Sequence, residues 1–169
     1  KAPTSVKEVR GFLGMVGYYR RFVEGYAKIA LPLTELLKKE APFQWGDRQE
    51  EAFRELKAKM VKAPMMASPR FDREFHVTGD ASGFCIGVIL WQYGDNKEER
   101  PIYYASRQMS PAEKNYTTTE RECLPIIFAC KKFRHYLLGY DVVFHTYHDS
   151  IKHLVNKADL SGRVARWVM

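Results

Sequence analysis

The densest run of chemistry-bearing side chains is Tyr18-Tyr19-Arg20-Arg21-Phe22. Arginines beside aromatic rings can hold phosphates while the rings stack on bases. The same residue types also suit a helix anchor whose arginines are simply solvated. Further along, Glu74 to Asp80 reads as a strand that ends in a carboxylate. His145 and His148 could share a metal only across a turn, because positions three apart on a strand face opposite sides. Otherwise both are solvated. Cys123 and Cys130 are seven apart, near two helical turns, and read as packing residues rather than a redox pair.

These groups need elements to hold them. Ser5-Val6-Lys7-Glu8 reads as a capping box, and Val9, Phe12, Leu13 and Val16 follow at the period of one helical face. Pro32 opens a short helical run over Leu33 to Lys39. Asp47-Arg48-Gln49-Glu50 is a second capping box, before Ala52, Phe53, Leu56 and Met60, and Pro64 stops that helix. No strand signal occurs up to this point. The pattern then changes to three apolar runs joined by turns, Glu74–Asp80, Phe84–Gln92 and Pro101–Ser106, which predict an antiparallel meander. The longest helical pattern follows. Thr117 with Glu120, or Thr119 with Glu122, could cap it. Its buried face is Leu124, Ile127, Phe128, Phe133, Tyr136 and Leu137, and Gly139 suits its end. Pro125 predicts a late start or a kink. Val142 to Tyr147 is a fourth strand, and Ser150 to Val155 a short helix.

The 169 residues are 46% hydrophobic and 28% charged, enough apolar material for one core or for a core with a satellite. No apolar run is long enough to span a bilayer, so no membrane partner is expected. With 10 Tyr, 10 Phe and 3 Trp the chain is too aromatic for disorder. Three cysteines make no disulfide framework and the first residues are no signal peptide, so a cytoplasmic or nuclear setting is expected. The net charge is +7 and uneven: residues 1–70 carry 14 basic and 8 acidic side chains, residues 71–169 carry 13 and 12. A basic arm beside a near-neutral body suits a polyanion.

Taken together, the motifs resemble the pol polyprotein of Ty3/gypsy-type long-terminal-repeat retrotransposons, over essentially the whole chain. Residues 4–14, Gly17 to Phe22, Pro32 to Leu37 and Phe43-Gln44-Trp45 resemble the end of the reverse transcriptase, in the thumb and connection region. Asp80-Ala81-Ser82-Gly83, Ile86 to Leu90, Tyr104 to Arg107, Asn115 to Leu124, Lys132 to Gly139 and His148 to Leu154 resemble the ribonuclease H domain that follows. Any one motif is weak, but their order and spacing are specific. The resemblance implies an α/β (α+β) fold: a helical thumb/connection-like segment over 1–65, then an incomplete, truncated ribonuclease H-like domain with a mixed sheet over 66–169.

The resemblance also implies a chemistry, the metal-dependent hydrolysis of RNA in an RNA–DNA hybrid by four carboxylates that hold two Mg²⁺ ions. By motif, the first carboxylate is Asp80 and the second Glu122. The third position is occupied by Tyr147, a phenol that is neutral at pH 7, with Asp149 as a substitute only if the strand end bends. The fourth belongs to a later segment, past Met169. The expectation is weak or absent Mg²⁺ binding and no useful hydrolysis. Hybrid or other nucleic-acid binding is retained through Arg20, Arg21, Lys38 and Lys39. Two other readings stand beside it. One is a co-opted protein-docking module, with Arg163, Arg166 and Trp167 at its interface or a partner chain completing an exposed sheet edge. The other is an active nuclease, if downstream sequence is supplied and Asp149 substitutes.

Overall fold

The computed structural model describes residues 1–39, 41–62 and 66–145. Ser5 caps α1 (Val6–Tyr18), its Oγ accepting from the Glu8 N–H at 3.3 Å. The Glu8 carboxylate reaches past Ser5 and accepts from the N–H and hydroxyl of Thr4 at 2.7 and 3.1 Å. The expected box is therefore spread over three residues. Val9 and Val16 are buried, while Lys7, Arg10, Gly11, Gly14, Met15 and Tyr18 face solvent. A 3₁₀ turn (Arg20–Phe22) leads to Gly25, whose φ of 64° lets the chain reverse into α2 (Tyr26–Ile29). α3 (Leu31–Glu35) holds Pro32 in its first turn and ends before the predicted Lys39. α4 (Asp47–Val61) is capped from Gly46, one residue earlier than the predicted box. The Gln49 Oε1 accepts the Gly46 N–H at 3.2 Å. Val9, Val16, Ala30, Leu33, Leu36, Ala52, Phe53 and Leu56 form a core among these helices.

The body is a four-stranded mixed sheet in the order β3-β2-β1-β4. β1 (Phe75–Ala81), β2 (Cys85–Tyr93) and β3 (Glu99–Gln108) form the expected meander. β3 starts before Pro101, which the sequence had placed at its beginning. The register slips between Leu90 and Trp91, so Ile102 is passed over between Pro101 and Tyr103. A bulge beside the proline is the usual way to place a residue without an N–H in a sheet. α5 (Pro111–Lys114) follows, capped by Ser110. α6 (Thr118–Lys132) then crosses the sheet and returns the chain parallel to β1 as β4 (Val142–His145). Thr117 is its cap, with the Glu120 carboxylate accepting the Thr117 N–H at 3.0 Å. α6 runs on through Pro125 and ends at Phe133, and α7 (Arg134–Leu137) is separate from it. Phe75, Val77, Ile86, Val88 and Leu90 pack against Leu124, Ala129 and Phe133 as a second core.

The two cores meet through polar contacts. The Ala27 N–H donates to Ser106 Oγ at 2.9 Å, and Gln108 Nε2 donates to Thr34 Oγ1 at 2.7 Å. Tyr147, His148, Asp149, the predicted helix over Ser150 to Val155, and Arg163, Arg166 and Trp167 lie outside the described residues. Among the described residues no helix is long and apolar enough to cross a membrane.

Candidate active site and nucleic-acid interface

Asp80 is the sixth residue of β1 and is exposed. The alternation of the strand puts Thr78 and Asp80 on one face. That face opens into a groove of about 450 Å³ between the sheet and α2, lined also by Lys28, Gly87, Ile89, Tyr104 and Ser106. Asp80 pairs across to Gly87, and Gly87 to Ser106, so these three form one row of the sheet. Thr78 is fixed by the Trp91 Nε1–H, which donates to its Oγ1 at 2.9 Å.

Glu122 is half-buried in the second turn of α6. It lies in a small depression with Val77, Gly79, Pro125, Ile126, Phe144 and His145. Its volume, about 10 Å³, leaves room for no more than a water-sized group. Gly79 lines both this depression and the Asp80 groove. A Cβ on Gly79 would stand 2.6 Å from the Pro125 Cβ and 3.3 Å from Val88 Cγ1. The bare glycine is what lets α6 seat its proline against β1 and so bring Glu122 up to the end of that strand. Asp80 and Glu122 therefore flank one glycine from adjacent elements, in neighbouring depressions. Glu120 faces the cap instead, accepting from Thr117.

Among the described residues no three His, Cys, Asp or Glu side chains are grouped to hold a metal ion. Asp80 and Glu122 lie in separate depressions, and each would offer a metal one carboxylate. Hard oxygen donors suit Mg²⁺, which is commonly held by one or two carboxylates with water and a substrate phosphate completing its shell. Tyr147 and Asp149, at and beyond the third position, lie outside the described residues.

His145 has a partner that the sequence reading did not find. Its Nε2 is 3.0 Å from Nδ1 of His76, a residue 69 positions earlier on the adjacent strand. His76 is 4% exposed and stacks on Trp91, with ring centroids 4.4 Å apart. Burial holds its pKa below the usual range. Glu74 opposes that shift, His145 adds to it, and Glu99 also opposes it. No local pattern announces a cross-strand pair at such separation. Cys123 is buried as expected, and burial raises its thiol pKa, with Glu122 and Glu120 adding to the rise. Cys130 is exposed, contrary to the packing role expected for it; its neighbour Ala129 takes the buried position in that turn of α6.

The basic candidates separate in space. Arg20, exposed at the head of the 3₁₀ turn, borders β3. Arg21 lies over the Phe22 ring, its guanidinium carbon 4.7 Å from the centroid. Lys38 and Lys39 are exposed beyond α3. The sequence reading missed the solvent face of α1, where Arg10, Gly11, Gly14, Met15 and Tyr18 lie together. A Cβ at Gly11 or Gly14 would meet nothing within 4 Å, so neither glycine is needed for packing.

A family model described as an RNase H-like domain found in reverse transcriptase matches residues 45–144. The chain is 40% identical over 166 residues to the retrovirus-related Pol polyprotein from transposon 297 of Drosophila melanogaster, covering 98% of this chain and 15% of that protein. It is 33% identical over 171 residues to the transposon Tf2-3 polyprotein of Schizosaccharomyces pombe, covering 99% and 13%. The chain thus spans about a seventh of the length of these relatives. Among solved structures, the foamy viral protease-reverse transcriptase dRH in complex with double-stranded DNA superposes with a TM-score of 0.79 at 21% identity, covering 99% of this chain and 30% of that one. The foamy viral protease-reverse transcriptase in complex with an RNA/DNA hybrid gives 0.74 at 20%, covering 99% and 24%. At these identities the likeness is one of fold. The chain belongs to the family of RNase H-like domains found in reverse transcriptases, and its relatives are retrotransposon Pol polyproteins.

Proposed function

We propose that this segment grips an RNA–DNA hybrid within a retroelement reverse transcriptase, with a metal site too depleted for useful hydrolysis. The observation that carries the reading is the docking of the basic arm beside the Asp80 groove, through Ala27 to Ser106 and Thr34 to Gln108. One surface thereby brings Lys28 of the arm into the groove with the Asp80 carboxylate, and Arg20 into the pocket beside it. The foamy viral structures, in complex with double-stranded DNA and with an RNA/DNA hybrid, support the same class of ligand.

Asp80 and Glu122 are the residues that would hold Mg²⁺. A bound ion supplies a more acidic water and stabilises a departing oxygen. The chain's own part is to present both carboxylates from rigid elements, with Gly79 and Pro125 setting their spacing. Tyr147 takes the family's third carboxylate position. A neutral phenol there leaves too little negative charge to bridge a second ion. Arg20, Arg21, Lys38 and Lys39 contact phosphates, and the exposed face of α1 lies against the duplex.

The test is the affinity for a labelled RNA–DNA hybrid as a function of salt. Neutralising four phosphates predicts a slope of log K on log salt of about −3 or steeper. A nearly flat slope would favour the apolar protein-docking module and overturn this reading.

A further inference from the structure

The groove that carries Asp80 does not stop at the sheet's outer edge. It shares Tyr104 and Ser106 with a second pocket of about 120 Å³ that wraps around β3. That pocket is lined by Arg20 from the arm, Arg107 from β3 and Lys132 from the end of α6. Three elements thus deliver three cations to one small space.

Their compensation is unequal. Arg107 is held by both oxygens of Glu113, at 2.7 Å each, and donates to the Gln108 carbonyl at 3.1 Å. Lys132 is half-buried, with its ammonium 5.5 Å from the Tyr103 ring centroid. Among the described residues neither Arg20 nor Lys132 has a carboxylate within ion-pair distance. Among the described residues β3 is also the outer strand, and no neighbouring strand takes the backbone groups on its free side.

Between this pocket and Asp80 the row is open at Gly87 and covered at Ser106, where the Ala27 N–H of α2 donates to Oγ, and Glu24 also lines the groove. Asp80, Gly87 and Ser106 share a row, and strand spacing puts the first and last Cα atoms roughly 10 Å apart. A Cβ on Gly87 would meet nothing within 4 Å, so the glycine leaves open space that no packing requires.

We infer that the Arg20–Lys132 pocket, at the edge of β3, binds one phosphodiester of the hybrid backbone. This rests on the hybrid-binding reading and adds to it a particular anchor. Arg107, pinned by Glu113, forms the wall of the pocket and keeps its charge in place.

The experiment is hybrid binding by fluorescence anisotropy across a salt series, on the whole chain, with the fold of each protein checked by circular dichroism and thermal melting. The variants are the double Arg20→Gln/Lys132→Gln, the conservative double Arg20→Lys/Lys132→Arg, and Arg48→Gln/Lys97→Gln as a charge-matched control away from the pocket. The inference predicts that Arg20→Gln/Lys132→Gln loses about tenfold in affinity and that its salt slope becomes shallower by about 2. It predicts that the conservative double and the control stay near the parent. If the parent binds and Arg20→Gln/Lys132→Gln matches the charge control in affinity and slope, the pocket is not an anchor although hybrid binding stands. If the parent itself does not bind, the functional reading fails and the anchor with it.

Discussion

At the residue scale the site turns on one missing side chain. Gly79 permits the contact between β1 and Pro125 that brings Glu122 to the end of β1. Gly79→Ala must push against the proline ring and the Val88 side chain, neither of which can swing away as a long flexible chain could. We expect a loss of about 1–3 kcal/mol, read as a lower urea midpoint at an unchanged m-value. The requirement was not legible in the sequence, where Gly79 looked like part of a strand and Pro125 like a defect in a helix. Each explains the other only once the two elements are packed. His76 gives a second prediction. Its folded pKa lies below the ordinary value near 6.5, first because of burial. The unfolded chain therefore takes up a proton before the folded one does. The stability from neutral His76 is complete above about pH 6.5 and declines as the pH falls from there toward the lowered folded pKa. Urea unfolding at pH 7.5 and pH 5.5 should show this decline in the parent. His76→Phe should show a clearly smaller one, and equal declines in both would contradict the assignment.

At the element scale most of the molecule could be read in advance, and the exceptions have local causes. The apolar alternation of residues 75–93 specified the meander, and the 3.6-residue period specified α1 and α4. Two capping boxes were possible for α6, and the structure uses Thr117 with Glu120. Thr117→Ala should cost about 1 kcal/mol in a chemical melt. Thr119→Ala should cost far less, since Thr119 is inside the helix. α5 was missed although Ser110-Pro111 with Glu113 is itself a capping box with a proline in the first turn. With four residues it offers no hydrophobic period to detect. α2 was missed for the same reason, and it forms where it packs on β3. Lengths erred where partners decide them: β3 extends past Pro101 because a bulge absorbs the proline, and α6 stops at Phe133, which is fully buried.

At the scale of the whole molecule, the uneven charge of the chain becomes a surface. The arm docks onto the sheet through backbone and hydroxyl groups, with Lys28 in the groove that carries Asp80 and Arg20 in the adjoining pocket. Asp80 and Glu122 were nameable from motif order alone. Their separation into two depressions around Gly79 was not, because it depends on how α6 crosses β1. The central claim is that this surface holds a hybrid without cutting it. The most direct measurement is cleavage of a labelled RNA–DNA hybrid at low salt in Mg²⁺ and in Mn²⁺, by the parent chain and by Asp80→Asn, at concentrations where binding is saturated. The account predicts intact RNA in every lane while the hybrid remains bound. Cleavage by the parent that Asp80→Asn abolishes would contradict it, and would show that the two carboxylates around Gly79 suffice with ligands supplied from elsewhere.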